Sequence, residues 1–212
     1  MFSVIIPMAG CGVRSGLKMN KALWELNGKP LFMHSVDMFK KYDCEIILVC
    51  SKSDIKEVRE YTDFKIVLGG NSRAESVYNG ISNASNSLCL IHDAARPFLD
   101  DNMITSILDA MKDNKCAYVG IEAIDTIRNI NGGVVDRNNL VLVQTPQALY
   151  KDDYIKAYEM SLKDNSLLTD DISYLEMYLG YKPKLIKGNR FNMKLTTPED
   201  FKLAEIVGGI KW

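Results

Sequence analysis

IIPMAGCGVRSGLKMNKALW, residues 5–24, passes from an apolar run through a glycine-rich turn into a basic segment. Its apolar end extends back to FSVIIP at 2–7, whose β-branched content predicts a buried strand. Gly10, Gly12 and Gly16 then let the chain turn, and Arg14, Lys18 and Lys21 follow. A strand emptying into such a turn belongs at the carboxyl edge of an open α/β sheet, where ligands bind. Backbone N–H groups of the turn, with the positive end of a following helix, suit an anion. Two familiar anion loops are excluded. G-x-G-x-x-G breaks at Ser15, and the acid it needs about twenty residues on is missing, because the next strand ends near Cys50. The P-loop breaks where Gly16 is followed by Leu17.

Outward from this stretch, short apolar runs at 45–50 (EIILVC), 65–68, 87–92, 116–124 and 183–187 predict further strands. Helices separate them. Pro30 fits the first position of PLFMHSVDMFKKY, Ser72 and Glu75 form a capping box, and Thr197-Pro198 opens another helix. This alternation implies a Rossmann-like α/β/α fold with a mostly parallel central sheet. Residues 125–147 break the pattern, with Asn131-Gly132-Gly133 between two β-prone pieces. By periodicity alone this is a surface hairpin on its own domain, and one domain with a protruding β-arm accounts for the chain.

Composition narrows the function. Of 212 residues, 26 are Lys or Arg and 27 Asp or Glu, for a net charge of −1, so nucleic acid binding by bulk electrostatics is excluded. Any anion site is built locally. Five cysteines without a C-x-x-C pair suggest neither disulfides nor zinc, which points to a reducing cytoplasm. No apolar run approaches membrane-spanning length, so no membrane partner is expected.

Arg14 and Lys21, seven residues apart at the turn, suit a triphosphate whose charge grows as phosphorus is attacked. LIHDAARPF at 90–98 ends a strand with His92, Asp93 and Arg96. An acid at that edge is placed to hold Mg²⁺, although a helix cap or an ion pair with Arg96 is the more common reason for such an acid taken alone. His92 reads as a packed core histidine. LGGNSRAESV at 68–77 brings Asn71, Arg73 and Ser76 beside the same edge.

In order along the chain stand AGCGVR with Lys21, GGNSRAESV, HDAARP, Asp125-Thr126, Asp136-Arg137, TPQ at 145–147, TDD at 169–171 and NMKLTTPED at 192–200. With these motifs the sequence resembles the 2-C-methyl-D-erythritol 4-phosphate cytidylyltransferases from residue 4 to about 205. The resemblance implies an enzyme that joins CTP to methylerythritol phosphate with release of pyrophosphate, and Mg²⁺ as cofactor. Ala9, Gly10 and Gly12 would wrap the CTP, while Gly70, Asn71 and Ser76 read its base and ribose. Asp93 would hold the metal, with Ala95 and Arg96 completing that wall. Arg14, Lys21 and Lys194 would stabilise charge, and the polyol phosphate would lie against Thr145, Thr169 and Lys194. In family members the residues matching Thr126 and Arg137 come from a dimer partner, which makes the 125–147 segment a dimerisation arm in a homodimer. Three departures stand out: Met8 for alanine, Asn20-Lys21-Ala22 for Pro-Lys-Gln, and Cys11 within the loop. Two other readings are a cytidylyltransferase for another polyol phosphate, such as ribitol 5-phosphate, and a nucleotide-binding module without catalysis. Joint retention of Arg14, Lys21, Asp93 and Lys194 argues against the second.

Overall fold

A computed structural model describes residues 1–10, 16–17, 19–166 and 168–209. Cys11, Gly12, Arg14 and Lys18 lie outside the described residues. Seven strands make the central sheet: β1 (Phe2–Pro7), β4 (Cys44–Cys50), β5 (Lys65–Leu68), β6 (Leu88–Ile91), β7 (Cys116–Glu122), β10 (Val141–Tyr150) and β11 (Lys184–Lys187). Their order is β11-β7-β10-β6-β1-β4-β5. The small pairs β2 (Glu25–Leu26) with β3 (Lys29–Pro30), and β8 (Ile127–Arg128) with β9 (Val134–Val135), stand apart from it.

Alternation along the strands builds two apolar layers. On one face Val4, Ile6, Leu48 and Leu90 meet α1 (Leu31–Phe39), α2 (Ile55–Arg59) and α4 (Asp101–Ala110). On the other Ile5, Ile47, Val49 and Ile91 meet α3 (Arg73–Ser82), α5 (Lys151–Lys163) and α6 (Ile172–Leu179). Each fully buried Ile, Leu or Val in these layers contributes about 1.5–3 kcal/mol of transfer free energy. α7 (Pro198–Gly208) packs Phe201 and Ala204 on Leu26 and Leu31, closing a third, smaller core. The capping box at its start is complete between Thr197 and Asp200. At α3 only half of the expected box forms: Ser72 accepts from the Glu75 N–H, while the Glu75 carboxylate takes the Asn71 N–H instead. Pro30 stands at the N-cap position, one residue before α1, rather than at its first helical position, and makes no side-chain capping bond.

β1, β4, β5 and β6 are mutually parallel, so their carboxyl ends share one edge. From β1 the chain moves outward to β4 and β5 and then returns to the opposite side of β1 as β6. Loops leaving β1 and β6 therefore diverge, and a crevice opens between them.

The sheet differs from expectation at one place. Residues 141–147, counted within the arm, belong to β10, which runs antiparallel to both β6 and β7 in the middle of the sheet. Gln144, Thr145, Pro146 and Gln147 disguise it as a polar turn. The ladder to β7 shifts register between Val143 and Gln147, which accommodates a proline without an N–H. All three polar side chains are buried and hydrogen-bonded, Gln144 donating to the Asn189 carbonyl at 2.9 Å. Within 125–147 the β8–β9 hairpin forms a two-stranded sheet of its own.

No helix among the described residues is long and apolar enough to cross a membrane. Cys50, Cys89 and Cys116 are buried, and burial pushes their thiols up to about 11, 12 and 11, so they act as small apolar fillers.

Candidate active site

Among the described residues, two clefts open at the carboxyl edge. The larger, about 560 Å³, is lined by the β1 loop (Met8, Ala9, Gly10), by Lys21, by the turn after β5 (Gly70, Asn71), by Ser76, and by Asp93, Ala95 and Lys194. The smaller, about 360 Å³, is lined by Arg96, Tyr118, Thr145, Gln147, Thr169, Asp170, Ser173 and Glu176. Arg73, Asp93 and Lys194 line both, forming the wall between them.

Asp93 leaves the end of β6 with its backbone fixed. Its N–H donates to Thr145 Oγ1 at 3.1 Å, and Thr145 Oγ1 lies 3.1 Å from His92 Nδ1. His92 Nε2 lies 3.1 Å from the Arg96 carbonyl, which only accepts, so Nε2 carries the proton and Nδ1 takes the Thr145 hydroxyl proton. Burial holds His92 down at about 4, leaving the ring neutral and structural. The Thr145 hydroxyl, expected against the polyol phosphate, lines the smaller cleft and also holds Asp93 in line.

The Asp93 carboxylate sits among cations. Arg73 donates to Oδ1 from Nε and Nη2 at 3.3 and 3.1 Å; Lys194 Nζ is 2.7 Å from Oδ2 and Arg96 Nε 4.0 Å. Burial alone would raise its pKa, but these cations hold the carboxyl well below the usual range.

The segment 192–195 is clipped onto this loop. Leu195 N–H donates to the Ala95 carbonyl at 2.8 Å, Arg96 Nη1 to the Asn192 carbonyl at 2.7 Å, and Asn192 Nδ2 to the Thr145 carbonyl at 2.8 Å. Lys21 Nζ reaches the Leu195 carbonyl at 3.0 Å. Lys21 is itself placed by Asn20, whose amide donates to Met8 O at 2.6 Å and Asp54 Oδ2 at 2.7 Å and accepts from the Ala22 N–H at 3.0 Å. Met8 packs in the core beneath the cleft, 4% exposed, with its N–H on the Val49 carbonyl.

The turn after β5 depends on close approach. A Cβ on Gly69 would stand 2.4 Å from the Ala9 Cβ, so the turn rests directly on the β1 loop. Ser76 Oγ accepts the Gly70 N–H at 3.0 Å and donates to Ser72 O at 2.8 Å, which shapes the turn from within.

Ala9, Gly10, Gly70, Asn71, Ser76 and Ala95 are therefore gathered on the larger cleft. Arg96, expected beside the nucleotide, lines the smaller cleft with Thr145 and Thr169. Thr126 and Arg137 are exposed and line neither; the Arg137 guanidinium donates to the Ile124 carbonyl. Gly12 and Arg14 fall outside the described residues. Arg73 was visible in GGNSRAESV as one polar group among several, and nothing local in the sequence marks it as the wall between two clefts.

A family model described as IspD, 2-C-methyl-D-erythritol 4-phosphate cytidylyltransferase, matches residues 2–208. The chain belongs to this family. A relative of that name from Halalkalibacterium halodurans is 36% identical over 97% of this chain and 96% of its own length. Another, from Alkaliphilus oremlandii, is 38% identical over 96% and 93%. The crystal structure of the Thermus thermophilus 2-C-methyl-D-erythritol 4-phosphate cytidylyltransferase superposes with a TM-score of 0.84 at 28% identity, covering 98% of each chain. That of the 4-diphosphocytidyl-2C-methyl-D-erythritol synthase from Anaerococcus prevotii gives 0.82 at 30% identity, covering 97% of each. Membership in the IspD family makes the chain a nucleotidyltransferase, and two clefts meeting at one charged wall suit a reaction that joins two substrates.

Proposed function

We infer that the chain transfers the cytidylyl group of CTP to 2-C-methyl-D-erythritol 4-phosphate, releasing pyrophosphate, in non-mevalonate isoprenoid biosynthesis in the cytoplasm. The observation that carries this reading is the wall of Arg73, Asp93 and Lys194 common to both clefts. CTP occupies the larger cleft, its base and ribose against Gly70, Asn71 and Ser76 and its phosphates toward Lys21. The polyol phosphate occupies the smaller cleft beside Arg96, Thr145 and Thr169. Its phosphate oxygen attacks the α-phosphorus, forming the new P–O bond while the bond to the β-phosphate oxygen breaks. An ionised phosphate is already a nucleophile, so no general base is needed, and the neutral buried His92 is consistent with that. The difficulty is repulsion between anions and charge growing on phosphorus. Lys194 faces both substrates, Lys21 faces the triphosphate, and Arg14 joins them in the family assignment.

Magnesium fits Asp93 on its donor chemistry. Asp93 is the one carboxylate among the described residues lining the larger cleft, it is ionised, and its Oδ2, which accepts a hydrogen bond from Lys194 alone, keeps acceptor capacity. No cluster of three or more His, Cys, Asp or Glu exists among the described residues, so phosphate and water oxygens would complete the shell. Bound there, the ion would neutralise phosphate charge.

We also assign the hairpin 127–135 as a dimerisation arm. Thr126 and Arg137 line neither cleft of their own chain, and Ile130 at its tip is 99% exposed, which supports a role in a second copy's site. The function is tested by pyrophosphate release with CTP and each polyol phosphate in turn. Release with methylerythritol phosphate is expected; preference for ribitol 5-phosphate would overturn the substrate, and release with neither would overturn the activity.

A further inference from the structure

Asp171 touches neither cleft, yet it grips a residue that lines both. Arg73 forks onto it, Nη1 to Oδ1 and Nη2 to Oδ2, each at 2.9 Å. The same guanidinium reaches Asp93 Oδ1 with Nε and Nη2. One cation thus spans two carboxylates from distant parts of the chain. The Asp171 side chain is 1% exposed, and its backbone is locked: its own N–H and that of Ile172 donate to Gln147 Oε1 at 3.0 and 3.3 Å.

The two carboxylates differ in their alternatives. Asp93 has Lys194 and Arg96 as further cations, whereas Arg73 is the one ion-pair partner of Asp171 among the described residues. A buried charge needs its partner, so the Asp171 fork is the fixed contact and the Asp93 contacts are the adjustable ones. Without that fork, Arg73 is free to turn its whole face onto Asp93, which shifts the wall and the geometry in which Lys194 meets the phosphates.

We propose that Asp171 is a positioning residue of the transfer reaction, which by forking onto Arg73 holds Arg73, Asp93 and Lys194 in register between the clefts. This rests on the reading that transfer takes place across that wall. A displacement of about 1 Å in a positioned reactant costs roughly 10²-fold in rate, so that is the expected loss in kcat for Asp171→Asn. KM for both substrates should stay within about threefold, because neither binding cleft loses a lining group. Asp171→Glu should recover part of the loss. The double variant Asp171→Asn with Arg73→Gln should be no slower than Arg73→Gln alone, since one residue acts through the other.

Rates are taken per folded molecule, with thermal unfolding giving the folded fraction at the assay temperature. If Asp171→Asn does not fold, Arg73→Lys takes its place: a lysine keeps the charge but cannot span both carboxylates, and the same loss in kcat is expected. A kcat within about threefold of wild type in the folded variant, or losses that add in the double variant, would overturn the proposal. A wild-type chain that releases no pyrophosphate would instead overturn the reading on which it rests.

Discussion

Lys194→Gln isolates one of the two cations that, among the described residues, line both clefts. Its Nζ lies 2.7 Å from Asp93 Oδ2, on the wall lined by both clefts, and its side chain is 35% exposed. At an effective dielectric of about 20, a unit charge about 4 Å from a phosphate oxygen interacts by about 4 kcal/mol. Much of that is felt already by the bound triphosphate, and only the share that grows with charge on the attacked phosphorus appears in kcat. Donors aimed at developing charge are typically worth about 2.7–4 kcal/mol, so kcat should fall roughly 10²–10³-fold. Glutamine keeps the length and a polar end, and Asp93 retains both Arg73 hydrogen bonds, so the wall keeps its shape. Steady-state pyrophosphate release, with each substrate varied in turn, separates kcat from KM. A kcat within about tenfold of wild type would show that Lys194 merely neutralises Asp93, and the assignment of a transition-state role would fail.

Asn20→Ala removes the bonds to Met8, Asp54 and Ala22 and should cost about 1–2 kcal/mol in urea unfolding, together with a lower kcat, because Lys21 follows directly. Unchanged stability would show that those bonds are replaced by water. Gly69→Ala forces a Cβ to 2.4 Å from the Ala9 Cβ and 3.0 Å from Ser76 Oγ, so it should destabilise by about 1–3 kcal/mol and raise KM for CTP. A wild-type KM would mean that the two loops separate without harm to the cleft. His92 sets a pH dependence. Unfolded, it takes a proton near 6.5, and folded only near 4, so the unfolded chain binds more protons in between. Stability should therefore drop as pH falls, by about 2 kcal/mol between pH 7 and pH 5, and equal urea midpoints would contradict a neutral buried ring.

The fold was legible wherever alternation and turn chemistry agree. β1, β4, β5 and β6 are short apolar runs ending in polar or glycine-rich loops, and those runs alone bring the carboxyl edge together. β10 was hidden because its middle is polar. Gln144, Thr145 and Gln147 are buried with partners contributed by Asn189, His92, Asp170 and Asp171, all more than twenty residues away along the chain. The same cause hid Arg73. Its importance lies in two carboxylates on other elements, and no spacing rule relates a helix start to the end of β6 and the start of α6. Asp93 and Lys194 were found through motifs, and the structure adds that they touch. Met8, a departure from the family's alanine, packs its side chain with the buried core as the floor of the larger cleft.

In the proposed reaction the α-phosphorus of CTP is transferred to the polyol phosphate, with pyrophosphate as the leaving group. CTP radiolabelled at the α-phosphorus, incubated with the protein, magnesium and 2-C-methyl-D-erythritol 4-phosphate, tests it in one experiment. Label should appear in the diphosphocytidyl product while the pyrophosphate released stays unlabelled. Label recovered as CMP alone, or left entirely in CTP, would contradict that transfer.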